Sequence, residues 1–242
     1  MTAQSRSHHD WQSASYVGEW IDARRDEDEA RAERFRFIAE LLPFRGTDEI
    51  DILDLGGGYG PLCGVMAQEF PKANLTLQDY SEPMLAQARE RLSPHAPRVR
   101  FAAADLMSPD WAGAVGGPFH AVVSSMCLHN LGSADRVRAI YGEVFRLLAR
   151  GGCFFDIDLV NAPDDELGWT YYRWASSRGK TDDDGDPAGT IALAGSAWES
   201  GQRHVFPATL AEKLDWLRGA GFAAADCWWK EIGVVLVGGF RL

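Results

Sequence analysis

Four polar residues stand where short apolar runs of the sequence end: Asp54, Asp79, Asp105 and Ser124. A carboxylate in such a place can accept hydrogen bonds from paired sugar hydroxyls or from an exocyclic amine, which is the chemistry of holding a nucleoside. Directly behind Asp54 comes Leu55-Gly56-Gly57-Gly58-Tyr59-Gly60-Pro61. Glycines there let the backbone approach a ligand closely and take φ > 0 without a Cβ clash. Pro61 suits a first helical position, where its missing N–H would have had no partner. Leu62, Val65, Met66 and Phe70 continue with helical spacing, so the segment reads as strand, turn and helix with a nucleotide-sized ligand over the turn. Past Ser124, His129 is a candidate general base, imidazole being suited to proton transfer near neutral pH; its other reading is a ring that packs on the ligand and moves no proton. His204 is a second base candidate. Tyr16 and Trp20 are placed either to close over the ligand or to pack in the core.

Those positions need a scaffold that delivers strand ends to one edge. Residues 26–42 read as an amphipathic helix with Phe35, Ile38 and Leu42 on one face. Strands are expected behind Asp51 and at 75–78, 99–103, 119–124 and 154–160, with helices over 82–92 and 134–149 and a stop at Gly151-Gly152. The nearly continuous apolar run 119–124 fits the inside of a parallel sheet. The alternation calls for a doubly wound sheet, whose ligands lie beyond the carboxyl ends of the strands. Leu210, Leu214 and Leu217 mark a late helix ended by Gly219 and Gly221. Strands at 224–230 and 234–240 are too close in sequence for a parallel crossover and must pair antiparallel. The expectation is α/β: a Rossmann-like, doubly wound, mostly parallel seven-stranded sheet with an antiparallel last strand, as a single domain over residues 1–242. Residues 1–48 supply an N-terminal helical cap, with a polar, mobile start over 1–15, and 161–206 an inserted lid. That insertion fits no regular pattern, holds Trp169, Tyr171, Tyr172, Trp174 and Trp198, and is long enough to imply a function. Its aromatic faces suit a cationic donor or an apolar acceptor. Its acidic run 182–186 lacks the closing glutamate of a calcium loop, the twelfth position being Leu193, and reads as solvated loop.

The glycine spacing separates two nucleotide chemistries. A dinucleotide fingerprint needs G-x-G-x-x-G, and its third position is Pro61 in one register and Cys63 in the other. The acidic residue followed by Leu-Gly-x-Gly-x-Gly instead resembles the first signature of class I S-adenosylmethionine-dependent methyltransferases. The antiparallel tail resembles their architecture too. The resemblance covers about residues 35–160, and residues 210–242 in outline; glycine at position 57, where cysteine is commonest in that family, is a departure. It implies that Asp54 lies near the ligand's amino group and that the backbone of Gly56, Gly58 and Gly60 curves around its methionine portion. It places Asp79 on the ribose hydroxyls, with Tyr80, Ser81 and Met84 in the matching flank; the other role for Asp79 is to cap the next helix. It puts Ala104, Asp105 and Leu106 at the adenine edge, where Asp105 would otherwise be a turn aspartate. It runs residues 124–131, from Ser124, beneath the methionine part toward the transfer centre. The implied reaction is methyl transfer to an O, N, S or C atom of a small molecule, with S-adenosylhomocysteine as the other product. A protein that binds this ligand without transfer, an enzyme using a modified S-adenosylmethionine and an NAD-dependent oxidoreductase are the alternatives.

The 242 residues carry a net charge of −11, which argues against nucleic-acid or anionic-membrane partners. No apolar run is long enough to span a membrane, and residues 1–10 lack a signal-peptide core. Cys63, Cys127, Cys153 and Cys227 form no C-x-x-C pair, so neither disulfide frame nor zinc site is expected and a cytoplasmic setting is. No metal-ligand cluster stands out. The early helix suits packing on a second copy, as in a homodimer, as well as on the sheet.

Overall fold

The structure, a computed structural model, describes residues 10–24, 28–177 and 206–242. Its centre is a seven-stranded sheet in the order β3-β2-β1-β4-β5-β7-β6. The strands are β1 (Asp51–Leu55), β2 (Asn74–Asp79), β3 (Val99–Ala103), β4 (Phe119–Ser125), β5 (Leu148–Leu159), β6 (Ala223–Glu231) and β7 (Val234–Phe240). The first five are parallel, and β7 enters antiparallel between β5 and β6. The order reverses at β1, which lies between β2 and β4, so the crevice of a doubly wound sheet opens above the end of β1.

Strand alternation divides the core. Ile52, Leu75, Val123 and Phe155 pack with Phe35, Ile38, Leu62 and Met66 on one face, beneath α2 (Asp28–Leu41) and α3 (Pro61–Glu69). Leu53, Val122, Phe154 and Val235 pack on the other with Trp111, Ile140, Tyr141 and Leu217. That side is covered by α5 (Trp111–Val115), α6 (Ala134–Leu147) and α8 (Leu210–Ala220). A third, small cluster joins Val17 and Ile21 of α1 (Ala14–Asp22) to Tyr59 and to Met84 of α4 (Glu82–Arg91).

Three expectations need correction. Residues 14–22 form a helix, begun by the Ser13 hydroxyl accepting from the Tyr16 N–H, so the N-terminal cap holds two described helices. The lower part of the insertion is regular: α7 spans Asp165–Ser177 and buries Tyr171 against the α2–α3 side of the core. Gly151-Gly152 lies within β5 and does not precede it. Gly151 adopts φ +81 and donates to Arg241 O, while Arg241 N donates to Gly152 O, so pairing runs through the glycines and α6 ends early, at Leu147. Trp198, Leu193 and the 182–186 run lie outside the described residues.

Candidate active site

The glycine turn is held from below by the end of β2. Gly57 N–H donates to Gln78 O, Gly56 N–H to Gln78 Oε1 (2.9 Å) and Gly58 N–H to Asp79 Oδ2 (2.9 Å). Gln78 Nε2 in turn donates to Ala104 O (2.6 Å), tying the turn to the end of β3. Gly56 takes φ +64, and a Cβ there would lie 2.0 Å from Cys127 Sγ, so no other residue fits. A Cβ at Gly57 would stand 2.8 Å from Asp54 Oδ2 and 2.7 Å from Leu77 Cγ. Here the glycine is therefore required by packing.

Asp54 is 2% exposed, and neither of its oxygens has a hydrogen-bond partner. Burial pushes its pKa up to about 7; the field of the Cys63 N–H opposes this in part, and the negative charge of Asp79 adds to it. An unpaired buried carboxylate is costly, and such groups mark functional sites. Asp79 is also buried, and its pKa is raised by burial against the N–H groups of Ser81, Gly58 and Tyr80. It does not cap α4. That is done by Ser81, whose hydroxyl accepts from Met84 N–H, while Asp79 Oδ1 accepts from Ser81 N–H. Tyr80 projects beside it, 44% exposed. Asp105 is exposed and accepts from Met107 N–H (2.8 Å), the turn geometry; Ala104 is half-buried and Leu106 buried next to it.

Over this floor sits α1. Trp11 packs edge-on against Tyr16 and Trp20, and Trp20 against Tyr59 of the glycine turn. Ser81 also donates to Trp11 O, fixing the approach of the N-terminal segment. Tyr16 and Trp20 are half-buried members of one aromatic group covering the turn.

Beyond β4, Ser124 is buried with its hydroxyl unpartnered. His129 follows on a short 3-10 turn, Leu128–Leu131. Its Nδ1 lies 2.5 Å from Asp158 Oδ1, and its ring meets Phe206 edge-on at 6.0 Å. Burial alone would raise the Asp158 carboxyl, but Lys213 and then His129 outweigh it and hold it well below the usual range. An ionised Asp158 can only accept, so His129 Nδ1 is the donor in this bond and Nε2 is the ring nitrogen left to face other groups. His204 lies outside the described residues.

Residues 52–152, the stretch holding the glycine turn and the ends of β1 to β4, match a family model described as a methyltransferase domain. In this stretch the chain is similar to methyltransferases. A demethylmenaquinone methyltransferase of Thermus thermophilus is 33% identical over 50% of this chain and 52% of its own length. A trans-aconitate 2-methyltransferase of Acidovorax ebreus is 28% identical over 88% of this chain and 80% of its own. Human N-acetylserotonin methyltransferase, solved in complex with S-adenosylmethionine, superposes with a TM-score of 0.64 at 13% identity, over 100% of this chain and 60% of that one. The chain spans about half or less of the length of the first curated relatives it matches.

The structure gathers Asp54, Gly56, Gly58, Gly60, Asp79, Tyr80 and Met84 around one turn, with Ala104 joined through Gln78. Sequence reading missed Gln78, Asp156, Asp158, Asn161, Phe206 and Lys213. A signal for two of them exists: acids at 156 and 158 share a face of an otherwise apolar strand, and a buried carboxylate needs a partner. Asn161 clamps the insertion, its Nδ2 donating to Phe206 O (2.6 Å) and its Oδ1 accepting from Phe206 N–H (2.9 Å).

Proposed function

We propose that this protein transfers a methyl group from S-adenosylmethionine to a small-molecule acceptor, in a cytoplasmic setting. The observation that carries the reading is Asp54, a buried carboxylate without a partner at the switch point of the sheet. A cationic ligand group supplies the missing partner, and the amino group of S-adenosylmethionine suits it. The backbone of Gly56, Gly58 and Gly60 would hold the methionine part, Asp79 the ribose hydroxyls, and Tyr80 with Ala104, Asp105 and Leu106 the adenine. Met84, Ser124, Tyr16 and Trp20 would line and cover it.

When bound, the sulfonium supplies an activated methyl, so the chain chiefly aligns the acceptor and excludes water. His129, steadied by Asp158 and Phe206, would take a proton from the acceptor at Nε2. Relatives are named for a quinone, for an acid and for a release factor glutamine. Acceptor choice therefore belongs to parts outside the shared 52–152 region, above all to the insertion.

The test is calorimetric titration followed by turnover. Wild type is expected to bind S-adenosylmethionine and S-adenosylhomocysteine but not NAD; no binding of the first two overturns the reading. With an acceptor found by screening for S-adenosylhomocysteine release, His129→Gln keeps ligand binding and loses about 10²-fold or more in kcat. A loss below ~10-fold would leave His129 only a packing role.

A further inference from the structure

The loop behind β3 that carries Ala104, Asp105 and Leu106 is held from α6. Arg136 stands in the first turn of that helix, next to the Ser133 cap, where a cation meets the positive end of the helix dipole and gains nothing from it. Its guanidinium faces the loop instead. Nε donates to Leu106 O, and Nη2 donates to Ser108 O (3.3 Å). The same group pairs with Glu143, two turns further along α6, through Nη1 to Oε1 (2.9 Å) and Nη2 to Oε2 (3.0 Å). Glu143 Oε2 also accepts from the indole N–H of Trp111, the buried first residue of α5. Both side chains of the ion pair are mostly buried, at 14% and 16% exposure. The loop's own bonds are short-range: Met107 N–H to Asp105 Oδ1, Ser108 N–H to Asp105 O and Asp110 N–H to Ser108 Oγ.

One peptide group joins the two sets of bonds. The Leu106 C=O that Arg136 holds and the Met107 N–H that Asp105 holds belong to the same planar unit, so fixing one end fixes the direction of the other. We propose that Arg136 is a positioning residue for the adenine of the donor: through the Leu106–Met107 peptide it sets the Asp105 carboxylate toward the exocyclic amine. The proposal rests on the reading of residues 104–106 as the adenine edge. Asp105 is exposed, and a carboxylate tied only to its own loop turns whenever that loop turns. Bidentate pairing with Glu143 fixes the plane of the guanidinium, and the plane fixes where Nε and Nη2 meet the two carbonyls. A lysine ammonium would keep the charge opposite Glu143 and could not reproduce that fork.

The test is calorimetric competition on the full-length protein, comparing S-adenosylhomocysteine with S-inosylhomocysteine. The second ligand carries a carbonyl oxygen in place of the exocyclic amine. A carboxylate set toward that position accepts from the amine and repels the oxygen. Wild type should favour the adenosyl ligand by about 10²-fold or more. Arg136→Lys should lower that ratio about tenfold, chiefly by weakening the adenosyl ligand. The double variant Arg136→Met/Glu143→Gln leaves no charge at the pair and keeps an acceptor for the Trp111 indole. It should lower the ratio equally, and it serves if the single variant does not fold. In Asp105→Ala the preference is already lost, and adding Arg136→Lys should lower it no further. An Arg136 of merely structural importance would weaken both ligands alike. A ratio unmoved in Arg136→Lys, or a further fall when Arg136→Lys is added to Asp105→Ala, overturns the proposal. A wild type that binds both ligands equally removes the adenine assignment and the proposal with it. Binding of neither refutes the methyltransferase reading itself, so the failures are told apart.

Discussion

Asp54→Asn should make the ligand-free protein more stable, and increasingly so as pH rises. Burial moves the Asp54 carboxyl from an ordinary 3.8 to about 7. Because the folded value lies above the unfolded one, folding binds a proton between these limits, and stability is lost as pH climbs through them. At about 1.4 kcal/mol per unit, roughly three units set a plateau near 4 kcal/mol above pH 7, against about 2 kcal/mol at pH 5. Asparagine has the same shape and no charge, so the variant escapes the pH-dependent part; its own buried amide adds an offset common to all pH values. At about 2–4 °C per kcal/mol for a domain of this size, the gap in Tm between variant and wild type should widen by roughly 5–10 °C from pH 5 to pH 8.5. Scanning calorimetry of both proteins at both pH values measures it. A gap that stays constant refutes the argument, since it would mean that Asp54 has a partner when ionised. Added S-adenosylmethionine should then raise the wild-type Tm at pH 8.5 and leave the variant's almost unmoved.

Two further outcomes are expected. Asp79→Ala removes the acceptor of the Gly58 N–H together with the proposed ribose ligand; titration should show no S-adenosylmethionine binding although far-UV dichroism is unchanged, and an unaltered affinity would sink the assignment. Asn161→Ala leaves the N–H and C=O of Phe206 without their partners, a cost of about 2 kcal/mol. Amide exchange of residues 206–209 should accelerate, and exchange as slow as in wild type would show that Asn161 does not hold the insertion.

The parallel strands were legible as short apolar runs, and in β1 and β2 the acids Asp54 and Asp79 stand out because a carboxylate is not buried without a purpose. The glycine turn was legible because backbone at φ > 0 demands glycine, as Gly56 against Cys127 shows. Gly151-Gly152 misled for the same reason read backwards: punctuation in sequence became a turn within a continuing strand, because Arg241 returns to pair with it. Helix α7 escaped because its aromatic residues gave no clean apolar stripe. The charged chain behind His129 was hidden more deeply. Lys213 and Asp158 stand 55 residues apart, and only the crossing of α8 over β5 makes them neighbours. On the page, a lysine among Leu210, Leu214 and Leu217 is an ordinary helix residue; in the fold it is almost without solvent.

The Asn161 clamp has a consequence for how this chain can change over time. One side chain closes both ends of the stretch between the last parallel strand and α8, and Asn161 N–H adds a bond to Ala208 O. Within that stretch α7 makes a second anchor, seating Tyr171 in the core, where its hydroxyl accepts from Lys230 Nζ. The cost of closing such a stretch grows only slowly with its length, so outside α7 it can be lengthened, shortened or exchanged with no register shift in the sheet. Residues before the clamp and residues inside it can then diverge at different rates, one part kept while the other is rewritten.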